Sequence, residues 1–353
     1  MEEFLMYKIW FSMIKISNKR KFVLLKNMKN EKEIYENRKF LSKESNKFLK
    51  ELDVDLENGV IDCILKDIEK KKYKFVSFFD DNYPKMLKDI DDKPYSLFYK
   101  GDIRPLNNNI SLAIVGSRKC TSYGKEITKN IATELGKRGI NIVSVGALGI
   151  DSVAHGVCTK NNFYNAAILG CGIDICYPAY NNILYKDIEK NGVIITEYLP
   201  KTPPYKFNFP KRNWIISGLS KGVIVIEAGA KSGSLITCSQ AIEQGKDVVA
   251  VPGNLFSSQS VGCNRLINDG AYLFTNIDDM LYNLSIDCNF KKHNECNGLK
   301  ELILNKLNGK ILDIDEIIKV VNIDTSIIHE LLCELQFENR IINIYGNCYT
   351  KIL

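Results

Sequence analysis

The 353-residue chain lacks several features that would place it in a familiar class. Its 11 cysteines are odd in number and form no CxxC pair, so no disulfide framework is predicted and a reducing compartment is expected. Cys288, His293 and Cys296 have no fourth partner at a zinc-ligand spacing, so no metal site is predicted. The acidic N-terminus has no unbroken apolar core, and no apolar stretch approaches the ~20 residues that span a bilayer. We therefore expect a cytoplasmic protein without membrane insertion.

The first segment and the last have the composition of small accessory domains. Residues 1–72 are almost free of glycine and carry apolar residues at helical spacing, which predicts a helical N-terminal domain. Residues 284–298 are polar and are predicted to be a linker. Residues 299–353 contain three helical pieces and then a hairpin that turns at Gly346, which together predict a winged-helix domain. Its third helix has no Lys or Arg, which argues against contact with a phosphate backbone.

The central segment, residues 73–283, has the pattern of an α/β fold. Short apolar runs bounded by glycine alternate with helical stretches, such as Gly124 to Arg138 with its stop at Gly139. Strands that are buried on both faces of a parallel sheet have this continuous apolar character. Six such runs are SLAIVG, NIVSVG, NAAILG, GVIITEY, GVIVIEA and DVVAVPG. The fold class predicted is α/β, with a Rossmann-like, doubly wound and mostly parallel sheet.

Loops after these strands contain the residues that typically bind phosphate. In an open parallel sheet, ligands bind beyond the carboxyl ends of the strands, where glycine and helix N-termini favour anions. The first loop contains Gly116, Ser117, Arg118 and Lys119. The second loop contains Lys231, Ser232, Gly233 and Ser234, although for this loop taken alone simple N-capping by Ser232 or Ser234 is the better explanation. A third loop, 253–264, contains Gly262 and Asn264. None of them is GxGxxG and no acid follows the second strand, so no cofactor is predicted.

A stretch without acidic residues lies between Glu197 and Glu227. It carries cations and aromatic residues in alternation, and these are Lys201, Lys206, Lys211, Arg212, Lys221, Tyr198, Tyr205, Phe207, Phe209 and Trp214. Cations neutralise phosphates while aromatic rings stack on unpaired bases, so this stretch predicts binding of single-stranded nucleic acid. The alternative is that the aromatic residues belong to the core and that the lysines only cover the surface.

Linked motifs over residues 73–280 resemble the DprA/Smf family. They are IVGSRKCTSYG, GIDSVAHG, AILGCGIDICYP, TEYLPKTPP, FPKRNWIISGLS, IEAGAKSGSLIT, AVPGN and QSVGCNRLINDGA. The resemblance implies a homodimeric protein, not an enzyme, that protects single-stranded DNA during natural transformation and loads the recombinase RecA. The resemblance also implies that the N-terminal helices form an accessory domain similar to a SAM or helix-hairpin-helix domain. The DNA-facing candidates are Gly116, Ser117, Arg118, Lys119, Gly146, Gly149, Lys211, Arg212, Asn213, Trp214, Lys231, Ser232, Gly233, Ser234, Gly262 and Asn264.

The chain departs from the family pattern at two positions. Leu148 and Trp214 stand where the family commonly has arginine, which removes two cations, and Trp214 could offset this loss if it stacks on a base. We expect Arg212→Glu to reduce binding to oligo-dT severely while the fold stays intact.

Two other classes of function remain open. A phosphoribohydrolase-type or nucleotide-binding enzyme could use Glu227 or Asp151 as an acid, but the PGGxGT loop is missing. Asp151 can be explained as a helix cap, and His155 as a packed residue beside its helix. The other class is a scaffold whose winged helix binds a protein.

Overall fold

The computed structural model describes residues 2–43, 49–52, 59–286, 299–321, 325–338 and 340–352. The chain divides into two compact units, Met1–Ser285 and Ile286–Leu353, which are described separately. Most of the predicted linker, including Cys288, His293 and Cys296, lies outside the described residues. In the described residues, no helix combines the length and the apolar character needed to cross a membrane.

The first unit begins with short helices that pack on one face of a sheet. They are α1 (Glu2–Met13), α2 (Asn18–Asn27), α3 (Glu31–Glu36), α4 (Arg38–Lys43), a 3₁₀ turn (Leu49–Leu52) and α5 (Val60–Glu69). The helices bury Ile9, Trp10 and Phe11 in a cluster that also contains Ala167 and Ile194 of the sheet. Because the helices and the sheet share this core, the boundary expected at residue 72 does not separate two compact units.

A nine-stranded sheet forms the centre of the first unit. Its strands are β1 (Lys74–Ser77), β2 (Ser96–Gly101), β3 (Ser111–Val115), β4 (Asn141–Val145), β5 (Asn165–Ile168), β6 (Val193–Thr196), β7 (Gly222–Val225), β8 (Asp247–Ala250) and β9 (Tyr272–Leu273). The spatial order is β1-β2-β6-β5-β4-β3-β7-β8-β9, parallel from β6 to β9 and antiparallel around β2. The six predicted apolar runs are strands β3 to β8, which confirms the α/β class with a mostly parallel sheet.

Helices connect these strands and cover the sheet. They are α6 (Pro105–Asn108), α7 (Ser122–Lys137), α8 (Ile150–Lys160), α9 (Asn182–Asn191), α10 (Asn208–Gly218), α11 (Ser234–Glu243), α12 (Val261–Asn268) and α13 (Ile277–Asn283), with 3₁₀ turns at Lys85–Lys88 and Ala179–Asn181. Helix α7 begins two residues before the predicted Gly124, because Thr121 Oγ1 accepts a hydrogen bond from the Gly124 N–H. It ends as predicted, with Gly139 at a φ of 71°.

The strand order reverses between β3 and β7. Strands β3 to β6 run outward to one side of β3, and α10 then returns the chain to β7 on its other side. A crevice opens where the loops after two such neighbouring strands diverge. The fold therefore places the loops after β3 and β7 on either side of one crevice.

The second unit has a small core of its own. Its elements are α14 (residues 299–306), β10 (Leu312–Asp313), α15 (Ile314–Val321), α16 (Thr325–Phe337), β11 (Ile341–Tyr345) and β12 (Cys348–Lys351). The predicted helices and hairpin are present, with Gly346 at a φ of 56° in the turn. A strand that the sequence did not indicate, β10, pairs with β12 and completes a three-stranded antiparallel sheet.

Candidate anion-binding cleft

A cleft of about 420 Å³ lies at the carboxyl ends of the parallel strands, where the strand order reverses. It is lined by Val115, Gly116, Ser117, Arg118, Lys119, Val145, Ala147, Asp151, Phe209, Pro210, Arg212, Asn213, Ser232, Gly233, Ser234, Ile236, Thr237 and Gln259. The structure thus brings together nine of the predicted residues, drawn from the first loop, from α10 and from the second loop. Pockets of this volume hold small ligands or single groups of a larger one.

The first loop is held rigidly so that its two cations project into solvent. A Cβ on Gly116 would lie 2.6 Å from Ile150 Cγ1, so only glycine lets α8 approach the loop. The carbonyl of Ser117 accepts a hydrogen bond from the Ile150 N–H (3.2 Å), and Ser117 Oγ accepts one from the Lys119 N–H (3.1 Å). Arg118 and Lys119 are exposed at the cleft rim.

Glu227 anchors the far end of this loop. Its carboxylate accepts hydrogen bonds from the Thr121 N–H at 2.8 Å and from the Thr121 hydroxyl at 2.6 Å. Glu227 is 3% exposed and is not one of the described residues that line the cleft. These contacts give Glu227 a structural role and leave it poorly placed as an acid catalyst.

Two buried ionisable groups form the cleft floor. Arg212 is 4% exposed, and its Nη1 donates to the carbonyl of Ile168 at 2.7 Å while its Nε donates to Asn213 Oδ1 at 3.0 Å. Burial lowers the Arg212 pKa to about 10, although Asp151 opposes the change. Burial also raises the Asp151 pKa to about 7, against a hydrogen bond from Ser144 and the charges of Arg212 and Arg118. Arg212 is therefore part of the fold as well as of the cleft, which corrects the expectation that Arg212→Glu would leave the fold intact.

The sequence did not predict that the Asp151 side chain would line the cleft. The expectation that it caps α8 is wrong, because Gly149 occupies the N-cap and Asp151 is the second residue of the helix. Its Oδ1 instead hydrogen-bonds to Ser144 Oγ of β4 at 2.9 Å. Asp151 follows the glycine-containing turn after β4 in the chain, but only the structure shows that its side chain contacts Ser144 of β4 and lines the cleft.

The second loop contributes hydroxyl groups and a helix N-terminus. Ser232 Oγ and Ser234 Oγ are 2.7 Å apart, and Ser232 Oγ accepts a long hydrogen bond of 3.4 Å from the Ser234 N–H. Gly233 is the N-cap of the ten-residue helix α11 and has no capping side chain of its own. Ser232 Oγ therefore caps the first N–H of α11, as the alternative of N-capping by a serine has it, while the two hydroxyl groups and the positive end of the helix dipole line the cleft and favour an anion.

A second, smaller recess of about 160 Å³ adjoins the first, since Arg118 and Arg212 line both. Leu148, one of the two residues that replace a family arginine, lines this recess and is 42% exposed. An apolar side chain thus stands where the family pattern has a cation.

Four of the predicted DNA-facing residues are absent from the described lining of the cleft. They instead contact the backbone or side chains of neighbouring segments. A Cβ on Gly146 would lie 1.9 Å from Tyr185 Oη, and one on Gly149 would lie 2.3 Å from the Ser117 carbonyl oxygen. Gly262 packs on the Ala228 backbone, to which its N–H donates at 2.7 Å. Asn264 bonds to both backbone groups of Gly253. These contacts give the four residues a role in shaping the backbone of the loops, and their direct contact with DNA stays a prediction.

Three further predicted residues also lie outside the cleft. Trp214 packs against the core and donates its indole N–H to the Asp91 carbonyl at 2.6 Å, so it does not meet the condition for stacking on a base in the cleft. Lys211 forms an ion pair with Glu197 at 3.3 Å. Lys231 is exposed in the second loop but is not among the residues that line the cleft. The cations of the cleft are therefore Arg118, Lys119 and Arg212.

The aromatic residues of the stretch between Glu197 and Glu227 lie in different environments, because some are at the surface, one lines the cleft and one packs on the core. Tyr205 and Phe207 stack on each other at 5.3 Å and are exposed, Phe207 by 73%, just before α10. Phe209 lines both recesses. The alternative that all these aromatic residues are core residues holds for Trp214 but not for Tyr205 and Phe207.

Within the described residues, no histidine lines the cleft and no cluster of metal-ligating residues is present. His155 is fully buried, its Nδ1 lies 2.7 Å from Asn165 Oδ1, and burial lowers its pKa to about 4. A neutral histidine packed in this way fits the expectation of a structural residue.

The fold and the cleft define a Rossmann-like α/β protein with a cationic cleft at the switch point of its sheet. Residues 74–285 match the family described as DNA recombination-mediator protein A, and the chain belongs to this family, which is the DprA/Smf family. Its sequence is 42% identical over 213 residues to DNA processing protein DprA of Streptococcus pneumoniae, covering 60% of this chain and 75% of that protein. It is 38% identical over 218 residues to protein Smf of Escherichia coli, covering 62% and 58%.

Two solved structures resemble the fold at more than 30% identity. The structure of DprA from Streptococcus pneumoniae superposes with a TM-score of 0.67 at 35% identity, covering 78% of this chain and 97% of that one. DNA processing protein A from Helicobacter pylori, described for its single-stranded DNA binding mode, has a TM-score of 0.55 at 33% identity and covers 60% and 95%.

Proposed function

We propose that this protein binds and protects single-stranded DNA at the cleft and is not an enzyme. The observation that carries the proposal is the convergence of Arg118, Lys119 and Arg212 with the N-terminus of α11 on one cleft at the switch point. Cations and helix N-termini are the groups that bind a phosphate backbone. The single-stranded DNA binding described for the Helicobacter pylori relative supports the same function.

Exposed aromatic residues favour a single strand over a duplex. Phe209 lines the cleft, and the stacked pair of Tyr205 and Phe207 lies just before α10 in the chain. Rings of this kind stack on unpaired bases of any sequence, whereas a duplex keeps its bases inside. We therefore propose little sequence preference.

The rest of the proposal follows the family. We propose that the protein loads the recombinase RecA onto the bound strand during natural transformation, acts as a homodimer and works in the cytoplasm without a cofactor. Residues 73–283 carry the DNA site, the helices of residues 1–72 are an accessory segment that shares its core with the sheet, and residues 299–353 form a winged-helix domain joined by the linker of residues 284–298. The acidic character of α16 supports a protein-contact role for that last domain.

A gel-shift titration of oligo-dT against a duplex of the same length tests the binding. We expect preference for the single strand and a log–log salt slope of about −3 to −4, as for ~4–6 neutralised phosphates. A slope near zero, or release of base from a nucleoside monophosphate, would favour a scaffold or an enzyme instead.

Arg118→Ala tests the cleft as the binding site, because Arg118 is exposed and its removal leaves the core unchanged. We expect it to lower oligo-dT affinity by about 1.5–3 kcal/mol, the value of a charge-assisted hydrogen bond. Lys137→Ala is the matched control, since Lys137 is an exposed cation at the opposite end of α7. Equal loss in both variants would show that only overall charge matters.

A further inference from the structure

The carboxyl group of Asp151 has few partners for a charged group in the floor of a cleft. Its side chain is 4% exposed and lines the cleft. Within the described residues it has one hydrogen-bond contact, with Ser144 Oγ at 2.9 Å, whereas a strongly ionised buried carboxylate accepts about two or three hydrogen bonds. Arg212 and Arg118 attract its charge, but neither donates a hydrogen bond to it in that part of the chain. The ionised form of Asp151 is therefore weakly stabilised.

The hydrogen bonds of Ser144 favour a proton on Asp151. Ser144 Oγ lies 2.6 Å from the Ile114 carbonyl oxygen and 2.9 Å from Asp151 Oδ1. A carbonyl oxygen only accepts, so the single hydroxyl hydrogen is used in the shorter contact and cannot also be donated to Oδ1. Two oxygen atoms this close repel each other when no hydrogen lies between them, whereas a proton on Oδ1 makes the contact a hydrogen bond to Ser144 Oγ. The geometry thus favours the neutral carboxyl group.

Burial acts in the same direction as this geometry. It raises the Asp151 pKa to about 7, and the Ser144 contact and the positive charges of Arg212 and Arg118 oppose the change. Near neutral pH, both the protonated and the ionised form of Asp151 are therefore populated before DNA binds.

The neighbouring titratable groups keep their charge in this range. Burial raises the pKa of Tyr185 in α9 and of Cys120 in the first loop, so both of these side chains stay neutral. Burial lowers the pKa of His155, one turn further along α8, to about 4, so it is neutral as well. Arginine stays charged. Among the described residues whose charges act on Asp151, its own carboxyl group is therefore the one that titrates near pH 7.

A phosphate in the cleft shifts this balance towards the protonated form. Two of the guanidinium nitrogens of Arg212 make hydrogen bonds within the fold, and Nη2 makes none in the described residues, so it can bind a phosphate oxygen. Arg118 and Lys119 line the same cleft as Arg212 and Asp151. The bound phosphate neutralises the cations that attracted the carboxylate and repels the carboxylate itself. Changes of this kind in neighbouring charge shift the pKa of a carboxyl group by about 1–3 units.

We propose that the cleft binds single-stranded DNA together with a proton, which Asp151 takes up as a phosphate docks on Arg212. The inference rests on the proposed function and adds Asp151 to the binding site as the residue that sets its pH dependence. A proton that is taken up on binding acts as a second ligand, so DNA affinity and proton affinity raise each other. Affinity is highest where the free protein already carries the proton, below about pH 7, and falls above it by at most about tenfold per pH unit.

Fluorescence anisotropy titrations of labelled oligo-dT between about pH 6.5 and 8.5, at one ionic strength, test the proposal. We expect the wild type to bind roughly tenfold more weakly at the upper end of this range. Neither thymine nor a phosphodiester changes its charge there, so the change comes from the protein. Isothermal titration calorimetry near pH 7.5 in two buffers of different ionisation enthalpy measures the proton directly, and we expect a net uptake of about half a proton per bound strand.

Two substitutions identify the group that takes up the proton. Asp151→Asn imitates the protonated acid, because its amide N–H can donate to Ser144 Oγ. We expect its affinity at about pH 8.5 to be at least that of the wild type at about pH 6.5, with no proton uptake. Lys21→Met is the control, because burial lowers the Lys21 pKa to about 7 and Lys211 of α10 adds to this, although Lys21 is not among the described residues that line the cleft. We expect Lys21→Met to keep the pH dependence of the wild type. Thermal unfolding establishes that both variants are folded.

The outcomes distinguish this inference from the proposed function. Affinity of the wild type that is constant across the range, or binding without proton uptake, overturns the proton-linked proposal and leaves single-strand binding intact. A pH dependence that persists in folded Asp151→Asn, or one that disappears in Lys21→Met, assigns the proton to another group and also overturns it. Absence of binding to any single strand at every pH would instead refute the proposed function itself.

Discussion

Lys21 shows how a single buried amine links the stability of the first unit to pH. Its Nζ donates to the Ser12 carbonyl at 2.8 Å and lies 5.7 Å from the ring centroids of Phe11 and Tyr95. Burial lowers the Lys21 pKa to about 7; repulsion from Lys211 adds to this and attraction from Glu197 opposes it. In an unfolded chain a lysine titrates near pH 10.4, so between these values the unfolded state binds more protons. This group therefore makes stability rise with pH from about 7 to 10.

Substitution of Lys21 by methionine should remove this dependence. Methionine fills a similar volume without a charge, so we expect Lys21→Met to stabilise the protein most near pH 6 and progressively less as the pH rises. Urea unfolding midpoints at several pH values measure the effect. Lys26→Met is the control, because Lys26 is exposed on the same helix and should show no such trend. A gain independent of pH in Lys21→Met would contradict the explanation.

Helix α8 shows how one element can position a loop that lies elsewhere in the chain. Its N-cap, Gly149, has a φ of 85°, and a Cβ there would lie 2.3 Å from the Ser117 carbonyl oxygen and 2.7 Å from Arg118 Cα. The cations of the first loop thus owe their position to a glycine in another loop. The sequence predicts that both loops lie at the same edge of the sheet, but it does not predict that they contact each other.

Gly149→Ala should displace the first loop. The positive φ and the close backbone contact both oppose a side chain, so we expect a loss of stability of at least about 1 kcal/mol together with weaker oligo-dT binding. Thermal unfolding and a gel shift measure the two effects. Gly156→Ala in the same helix meets nothing within 4 Å and should be neutral or stabilising by up to ~1 kcal/mol. The prediction fails if the two variants behave alike.

Whole-molecule organisation is decided by where apolar surface is buried. The N-terminal helices share a core with the sheet, since Trp10 and Phe11 cluster with Ala167 and Ile194, whereas the second unit has a separate core around Leu307 and Leu335. The two ends of the chain should therefore tolerate deletion very differently.

Deletion after Ser285 should leave oligo-dT affinity and its salt slope unchanged, because the cleft lies entirely within the first unit. Deletion of residues 1–72 should instead lower the unfolding temperature strongly, since it exposes the apolar face on which α1 packs. Calorimetry and gel shifts on both truncations measure this. Lost DNA affinity in a folded 1–285 chain would assign part of the binding to the second unit.

The sequence by itself determined the elements and their class. Strands β3 to β8 are visible as apolar runs because both of their faces are buried, and α7 is visible through its glycine stop. The cations and hydroxyls of the two loops are visible because phosphate-binding residues follow strands in a parallel sheet. Local patterns report these features because each depends on neighbouring residues along the chain.

Only the tertiary structure decided which side chains reach the cleft. Arg212 and Trp214 are two residues apart on α10, yet one forms the cleft floor and the other packs on the core. Asp151 faces the cleft because β4 supplies Ser144 as its partner. Contacts between distant segments set the rotation of each helix and the partner of each side chain, and these contacts have no local pattern in the sequence.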